Sequence, residues 1–205
     1  MTTTKPAPSA RETELLELAY AYSLTHGLAD LSLRPLAAAI GSSPRVLLFL
    51  FGSKDGLIRA LLARARSDEL ELLQQLTSQY AEPPGLDVVA RELWTWLAAE
   101  ERRPLMKLWV EAYGRSLVAP DGPWSDFARS TVDDWLDLLK SVQPARDTKP
   151  AQTRRTEVLA LLRGALLDLL ATGDTTRTTS AVLRALAADN SSAFTTRAAS
   201  RIQPH

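Results

Sequence analysis

The sequence predicts an all-α protein, and three observations support that class. Apolar residues recur at the three- and four-residue spacing of amphipathic helices along most of the chain. Serine, proline and glycine stand where those segments begin and end. No stretch of useful length shows the strict apolar–polar alternation of a half-buried strand. We therefore expect helices packed on helices.

The first 80 residues predict four helices behind a mobile arm of residues 1–10. Gly27 suits the end of the first helix, since glycine readily adopts the left-handed backbone found past a helix end. Ser43 can cap the third helix while Pro44 occupies its first position, where a missing N–H costs little. The expected helices span residues 11–26, 33–40, 44–51 and 54–79.

The rest of the chain predicts five more helices around a different core. Residues 81–85, Ala-Glu-Pro-Pro-Gly, break the helical pattern, and all five tryptophans lie between residues 94 and 135. The tail of residues 191–205 is rich in Ser, Thr and Ala, and we expect it to be flexible. The expected helices span roughly residues 86–100, 104–118, 123–142, 151–172 and 176–189.

Composition excludes several classes of protein. The chain has no cysteine and two histidines, which excludes thiol chemistry and metal sites of ordinary ligand spacing, and no cofactor is expected. Adjacent acidic pairs point in different directions on a helix, and no phosphate-binding glycine loop or nucleophile–base arrangement is visible, so we do not expect an enzyme. Without a run of about 18 apolar residues or a signal-peptide layout, we expect a cytoplasmic protein with no membrane contact.

The charge balance does not by itself favour nucleic-acid binding. The net charge is zero, and residues 1–80 hold eight Lys and Arg against eight Asp and Glu. Neutralisation of phosphates dominates non-specific affinity for DNA. Any DNA contact must therefore come from the local placement of a few side chains.

The second and third helices are joined by the tight turn Gly41-Ser42-Ser43, which is the layout of a helix-turn-helix over about residues 32–51. The string Leu-Ala-x-x-Ile-Gly-Ser-Ser at residues 36–43 is followed by Leu47 and by Phe-Gly-Ser-Lys-Asp-x-Leu at residues 51–57. Together these residues resemble the DNA-binding domain of the TetR family of bacterial transcriptional regulators, over about 50 residues of this chain.

The resemblance implies a domain organisation and a function. Residues 11–56 would form the DNA-binding domain, and residues 57–190 a helical domain for ligand binding and dimerisation. It implies a ligand-responsive regulator, most often a repressor in this family, that binds a palindromic operator as a homodimer and is released by a small hydrophobic ligand. A second class stays open: a helical protein–protein interaction module whose degenerate helix-turn-helix no longer binds DNA.

The third helix departs from the family pattern. The family usually has a small residue at position 45, threonine at 46, tyrosine at 48, tyrosine or another polar residue at 49 and often histidine at 50. This chain has arginine, valine, leucine, phenylalanine and leucine there. The hydroxyl groups that contact phosphates in the family are therefore missing.

Angular spacing indicates which side chains of this helix face outward. At about 100° per residue, Leu47 and Phe51 turn inward, Arg45 and Phe49 turn outward, and residues 46 and 48 lie on the flanks. Arg45 would supply the polar contact to a base edge, and the apolar side chains would meet thymine methyl groups or sugars. Two alternatives stay open: the helix has lost its affinity for DNA, or Leu48 and Phe49 are covered by neighbouring helices.

Phosphate contacts are expected at the ends of these helices. Lys54 matches a family position that meets a backbone phosphate, and the helix start after a Ser53 cap favours an anion, although a solvated lysine is the alternative. Arg34 is expected to approach the DNA backbone on the other side of the groove. The candidates for DNA binding are Arg34, Ser42, Ser43, Arg45, Val46, Leu48, Phe49 and Lys54.

Aromatic and long apolar side chains in the second half of the chain are candidates for an apolar ligand pocket. The alternative is that these side chains only fill a helical core. The candidates are Trp94, Leu97, Met106, Trp109, Tyr113, Phe127 and Trp135.

The helix after Pro150 has an apolar arc too wide for packing on one side, because its two apolar stripes lie about 100° apart. One stripe can face the chain's own core and the other a symmetry mate in a two-fold four-helix bundle. The alternative is a central helix of a monomer. The interface candidates are Val158, Leu159, Leu162, Leu166, Leu170, Val182, Leu183 and Leu186.

Overall fold

The computed structural model describes residues 9–28, 30–119, 121–143 and 147–199. In this part of the chain the regular secondary structure is helical and no strand occurs, which confirms the all-α class. A short 3-10 turn, Glu100–Arg102, precedes the sixth helix. The helices are α1 (Ala10–His26), α2 (Leu33–Ala39), α3 (Pro44–Phe51), α4 (Lys54–Ser78), α5 (Leu86–Ala98), α6 (Arg103–Val118), α7 (Phe127–Ser141), α8 (Lys149–Thr172) and α9 (Thr175–Ala199).

The structure describes only part of the predicted arm and of the predicted tail. Residues 1–8 of the arm and residues 200–205 of the tail lie outside the described residues. Helix α9 runs to Ala199, past residue 191, where we expected a flexible tail to begin. Residues 191–199 contain neither glycine nor proline, and alanine favours the helix, so nothing in the local sequence ends α9 earlier.

The chain divides into two compact units. The first comprises the residues up to 71 together with 104–131, and the second comprises 72–103 together with the residues from 132 onward. Helix α6 therefore belongs with the N-terminal helices, whereas the resemblance assigned residues 57–190 to one domain. The predicted domain boundary at residues 56 and 57 stays a prediction.

The core of the first unit holds the three short N-terminal helices together. Leu15 of α1, Leu36 of α2, Leu47 of α3 and Leu61 of α4 are all buried in one cluster, which also takes in Leu108 of α6. The carboxylate of Glu111 on α6 accepts a hydrogen bond of 2.9 Å from the backbone N–H of Leu28, just past the end of α1. Helix α6 is thus anchored to the connection that leads into α2.

The second unit is built on α5, α8 and α9, which pack on one another. Trp94 of α5 is fully buried, and its indole N–H donates to the hydroxyl of Thr179 at 3.0 Å. Arg155 of α8 is also buried and donates to the side-chain oxygen of Gln143 at 2.7 Å, which satisfies a charged group inside the unit.

A polar network joins α1 to α4. The hydroxyl of Tyr20 donates to Asp68 at 2.8 Å, and Arg64 donates to Glu17 at 2.6 Å and also to Asp68. The Arg64 guanidinium lies 4.9 Å from the centroid of the Tyr20 ring. Burial, together with the hydrogen bond to Asp68, raises the pKa of Tyr20 well above its ordinary value of 10.0. The network ties the middle of α4 to α1.

The Tyr20→Phe substitution tests this network. It removes one hydrogen bond to an ionised carboxylate, and we expect the free energy of unfolding at pH 7 to fall by about 1–2 kcal/mol. Because folding raises the pKa of Tyr20, its contribution is complete below about pH 10 and declines as the pH rises beyond that value. The difference between wild type and variant in urea unfolding should therefore stay constant up to about pH 9.5 and shrink between about pH 10 and about pH 11. A difference that stays constant between about pH 10 and about pH 11 would contradict the role of the Tyr20 proton.

Candidate nucleic-acid interface

Helices α2 and α3 meet at an angle of 102° across the turn at Gly41, Ser42 and Ser43. Gly41 has a φ of 64°, a backbone conformation that glycine adopts without strain. The backbone N–H of Ser42 donates to the carbonyl of Ala37 at 2.8 Å, which closes the turn. An interhelical angle near 100° and a turn of this length are the geometry of a helix-turn-helix.

Both ends of α3 are capped as predicted. The hydroxyl of Ser43 accepts from the backbone N–H of Val46 at 3.3 Å, and Pro44 occupies the first helical position. At the other end, the N–H of Gly52 donates to the carbonyl of Leu48 at 2.9 Å. The hydroxyl of Ser53 then caps α4 by accepting from the N–H of Gly56 at 2.9 Å.

The predicted rotation of α3 is confirmed. Leu47 is 1% exposed and points into the core. Phe49 is 85% exposed, Leu48 41% and Val46 39%, and Arg45 is exposed as well. The alternative in which Leu48 and Phe49 are covered by neighbouring helices does not hold in the described chain. Their contact with DNA stays a prediction.

Arg34 and Lys54 line the same open cleft. Its volume is about 560 Å³, and its other lining residues are Asp30, Leu31, Ser32 and Leu33. The cleft lies where α2 and α4 begin, and both cationic side chains are exposed. We expected the two cations to act at separate places on the DNA backbone, and the fold gives both a place on the lining of this one cleft. Two cations at one cleft can share a phosphate or hold two successive phosphates.

The hydroxyl of Ser42 is placed differently from the other candidates. Its oxygen is buried and has no hydrogen-bond partner among the described residues. A contact between this oxygen and a phosphate would therefore require the side chain to rotate. Ser43 is half-buried, and its hydroxyl already accepts the capping hydrogen bond, although it can still donate one.

The seven candidates for ligand binding are divided between the two units. Trp94, Leu97 and Trp135 are buried in the second unit. In the first unit Met106 and Phe127 are buried, and Trp109 and Tyr113 stack with their ring centroids 5.0 Å apart.

Phe127 also lines an open pocket of about 250 Å³ on the first unit, formed by α4, the residues just before α7 and the start of α7. Two arginines on its wall, Arg59 and Arg66, were not among our candidates, because they come from α4 and carry no periodic signal of their own. Ligand binding by any of these residues stays a prediction.

Most of the eight candidates for the dimer interface are covered by the chain itself. Six are buried in the single chain, Leu170 is partly buried, and Leu183 is 42% exposed. Leu167, which lies on neither predicted stripe, is 52% exposed, on a face of α8 that also carries the exposed residues Ala160 and Gly164. The six buried candidates are Val158, Leu159, Leu162, Leu166, Val182 and Leu186.

In the described part of the chain, the His, Asp and Glu side chains include no group of three or more that could hold a metal ion. No single helix there has the length and hydropathy needed to cross a bilayer; α2 and α3 meet those criteria only as a pair, and that pair is bent.

Several solved structures resemble this one. A TetR transcriptional regulator from Legionella pneumophila aligns with a TM-score of 0.69 and 16% identity, over 91% of this chain and 97% of its own. A TetR regulator from Haloarcula marismortui aligns with a TM-score of 0.68 and 18% identity, over 86% of this chain and 94% of its own. The multidrug binding protein EbrR, solved in complex with proflavin, aligns with a TM-score of 0.60 and 24% identity, over 86% of this chain and 99% of its own. No protein-family model and no curated protein matches the sequence.

The capped α2–α3 pair, followed by a long α4 and a helical body, defines a helix-turn-helix protein of the all-α class. More narrowly, the chain has the fold of TetR-family transcriptional regulators. The fold implied by the resemblance of residues 36–57 is thereby confirmed over the 86% and 91% of the chain that these two structures cover.

The Gly56→Ala substitution tests how firmly α3 is held against α4. A Cβ atom on Gly56 would lie 2.0 Å from the carbonyl oxygen of Phe51, so the end of α3 would have to move. We expect a loss of about 1–3 kcal/mol in the free energy of unfolding, measured with urea, and weaker DNA binding.

Gly114→Ala is the matched control for that variant. Gly114 lies inside α6, and nothing lies within 4 Å of the position its Cβ would take. We expect a stabilisation of up to about 1 kcal/mol, since alanine favours a helix interior more than glycine does. Equal stabilisation by both substitutions would show that α3 and α4 are not closely held at Gly56.

Proposed function

We propose that the protein is a DNA-binding transcriptional regulator of the TetR family. The observation that carries the proposal is the surface formed by α3 and the adjoining cleft. The outward face of α3 carries Arg45 and Phe49, and Arg34 and Lys54 line the cleft where α2 and α4 begin. A helix of this kind enters the major groove, while cations beside it hold the phosphate backbone.

The roles of the side chains follow from their chemistry. Arg45, exposed on α3, would donate two hydrogen bonds to the edge of a guanine, the commonest specific contact of arginine with DNA. Lys54 and Arg34 contact phosphates, which sets the register of α3 in the groove without reading sequence. The first turn of α4 adds backbone N–H groups beyond the Ser53 cap, and these favour a phosphate at the same place.

We propose that two copies bind one operator as a homodimer. A palindromic operator presents two half-sites about one DNA turn apart, which matches a two-fold protein. Because six of the predicted interface residues are covered by the chain's own helices, the contact would use the outer face of α8 and α9. Leu167 and Leu183 are the exposed large apolar residues there.

We propose that a small hydrophobic molecule releases the protein from DNA, so that the regulator acts as a repressor. EbrR, which shares the fold, is described as a multidrug binding protein and was solved with proflavin. The aromatic candidates and the pocket beside Phe127 supply apolar surface for such a guest. Helix α4 runs without a break from Lys54 to Ser78 and contributes to both units, so it is the element that would carry the response.

One observation favours the second candidate function, a protein–protein interaction module. Phe49 is 85% exposed beside Val46 and Leu48, and an exposed apolar patch is also typical of a protein-binding surface. The arginine and lysine at the neighbouring cleft have no role in that reading, so we prefer DNA as the partner.

Selection from a random pool of double-stranded DNA tests the proposal. The purified protein is incubated with the pool at low salt, and the bound sequences are read after several rounds. We expect enrichment of a two-fold symmetric site with half-sites about one turn apart. Absence of any enriched sequence would overturn the regulator proposal and leave the interaction module.

The dependence of affinity on salt tests the phosphate cleft. We expect Lys54→Ala and Arg34→Ala each to reduce the slope of log K against log salt concentration by about one, because each removes one phosphate contact. The control is Lys107→Ala, which removes an exposed cation of α6 that does not line the cleft. Fluorescence anisotropy between about 50 and 200 mM salt gives the slopes. A cleft variant with the slope of the control would remove that cation from the DNA contact.

Sedimentation equilibrium tests the dimer surface. The double variant Leu167→Glu with Leu183→Glu places two charges on the outer face of α8 and α9, and we expect the dimer to dissociate at least about tenfold more readily. Leu117→Glu changes a residue of α6 that is 64% exposed and serves as the control. If the double variant and the control dimerise like the wild type, the dimer forms through another surface.

A further inference from the structure

The outward face of α3 offers DNA very little hydrogen bonding. Among residues 44–51, Arg45 carries the one polar side chain, and the other exposed side chains are those of Val46, Leu48 and Phe49. The hydroxyls at the start of the helix do not make up for this, since Ser43 caps α3 and the Ser42 oxygen is buried. In the major groove the base pairs present hydrogen-bonding edges and a single type of apolar group, the 5-methyl group of thymine.

We infer that this protein reads its operator largely through thymine methyl groups, with Phe49 as the main specificity-determining residue and Val46 and Leu48 on either side of it. The inference rests on the proposed function and names the chemistry that the α3 surface recognises. Arg45 then supplies one hydrogen-bonded anchor, to a guanine in the same half-site.

The position of Phe49 in the helix supports this assignment. Phe49 follows Arg45 by four residues, so the two side chains lie on the same face and about 6 Å apart along the helix axis. Both therefore reach into one half-site. The helix cannot turn Phe49 away from the groove without bringing Leu47, which is 1% exposed, out of the core. An outward phenylalanine is thus a fixed feature of the surface that meets the bases.

The test uses half-sites from the random-pool selection and changes only the bases. At each thymine of the half-site, four pairs are compared: T·A, U·A, 5-methylcytosine·G and C·G. Uracil removes the methyl group and keeps the hydrogen-bonding pattern, whereas 5-methylcytosine keeps the methyl group and changes that pattern. We expect affinity to follow the methyl group, with T·A and 5-methylcytosine·G each about fourfold tighter than U·A and C·G per contacted position.

The possible outcomes separate this inference from the proposed function. If U·A binds like T·A and both bind better than the two G-containing pairs, the protein reads hydrogen-bonding edges and the inference is overturned. Selected half-sites without thymine overturn it as well, while the DNA-binding proposal survives in both cases. Absence of DNA binding altogether overturns both.

Variants then identify the residue responsible. In Phe49→Ala we expect replacement of thymine by uracil to cost no affinity at one position. Arg45→Ala should instead lose the preference for guanine and still bind the uracil site more weakly than the thymine site. Val118→Ala, on α6 and 78% exposed, is the matched control for removing an exposed apolar side chain. A uracil penalty that survives in Phe49→Ala would assign the methyl contact to another residue and overturn the role of Phe49. The base substitutions do not depend on any variant folding correctly.

Discussion

The burial of Leu47 controls the chemistry of the surface that we propose faces DNA. Helix α3 has only eight residues, too few to be stable alone, so its position comes from packing. Leu47 enters the cluster that contains Leu36 and Leu61, which fixes the rotation of the helix. Because the angular repeat of a helix is constant, a fixed Leu47 also fixes Arg45 and Phe49 on the outside. The exposure of a phenylalanine is here the consequence of a core contact.

The neutral charge of the chain limits how the protein can bind DNA. The cleft at the edge of the surface holds two cations, Arg34 and Lys54, and one acid, Asp30, so its net positive charge is small. In the proposed complex such a cleft would position α3 but contribute only part of the affinity, since non-specific binding scales with the number of neutralised phosphates. Contacts with bases must therefore carry a larger share of the binding free energy than in a strongly basic DNA-binding protein.

The sequence was sufficient to predict those parts of the structure that depend on local chemistry. The caps at Ser43 and Ser53 and the inward direction of Leu47 could be predicted, because they follow from hydrogen-bonding groups and spacing within one helix. The presence of Arg34 and Lys54 on one cleft could not be predicted, because it depends on how two helices pack. The apolar stripes of α8 show the same limit: their spacing reveals that a face is apolar, but not whether the chain's own helices or a second copy cover it.

The contrast between an apolar centre and a cationic edge also bears on the nature of the partner. A protein partner could cover Phe49 with its own apolar groups, and nothing in that contact would require two cations at a neighbouring cleft. DNA presents both kinds of group at once, since the methyl groups in the major groove lie between two rows of phosphates. On the first unit α3 carries three exposed large apolar residues, Val46, Leu48 and Phe49, and the cleft lies where the helices before and after α3 begin. The apolar face of α3 together with the cationic cleft fits the groove of a duplex better than it fits an apolar protein surface.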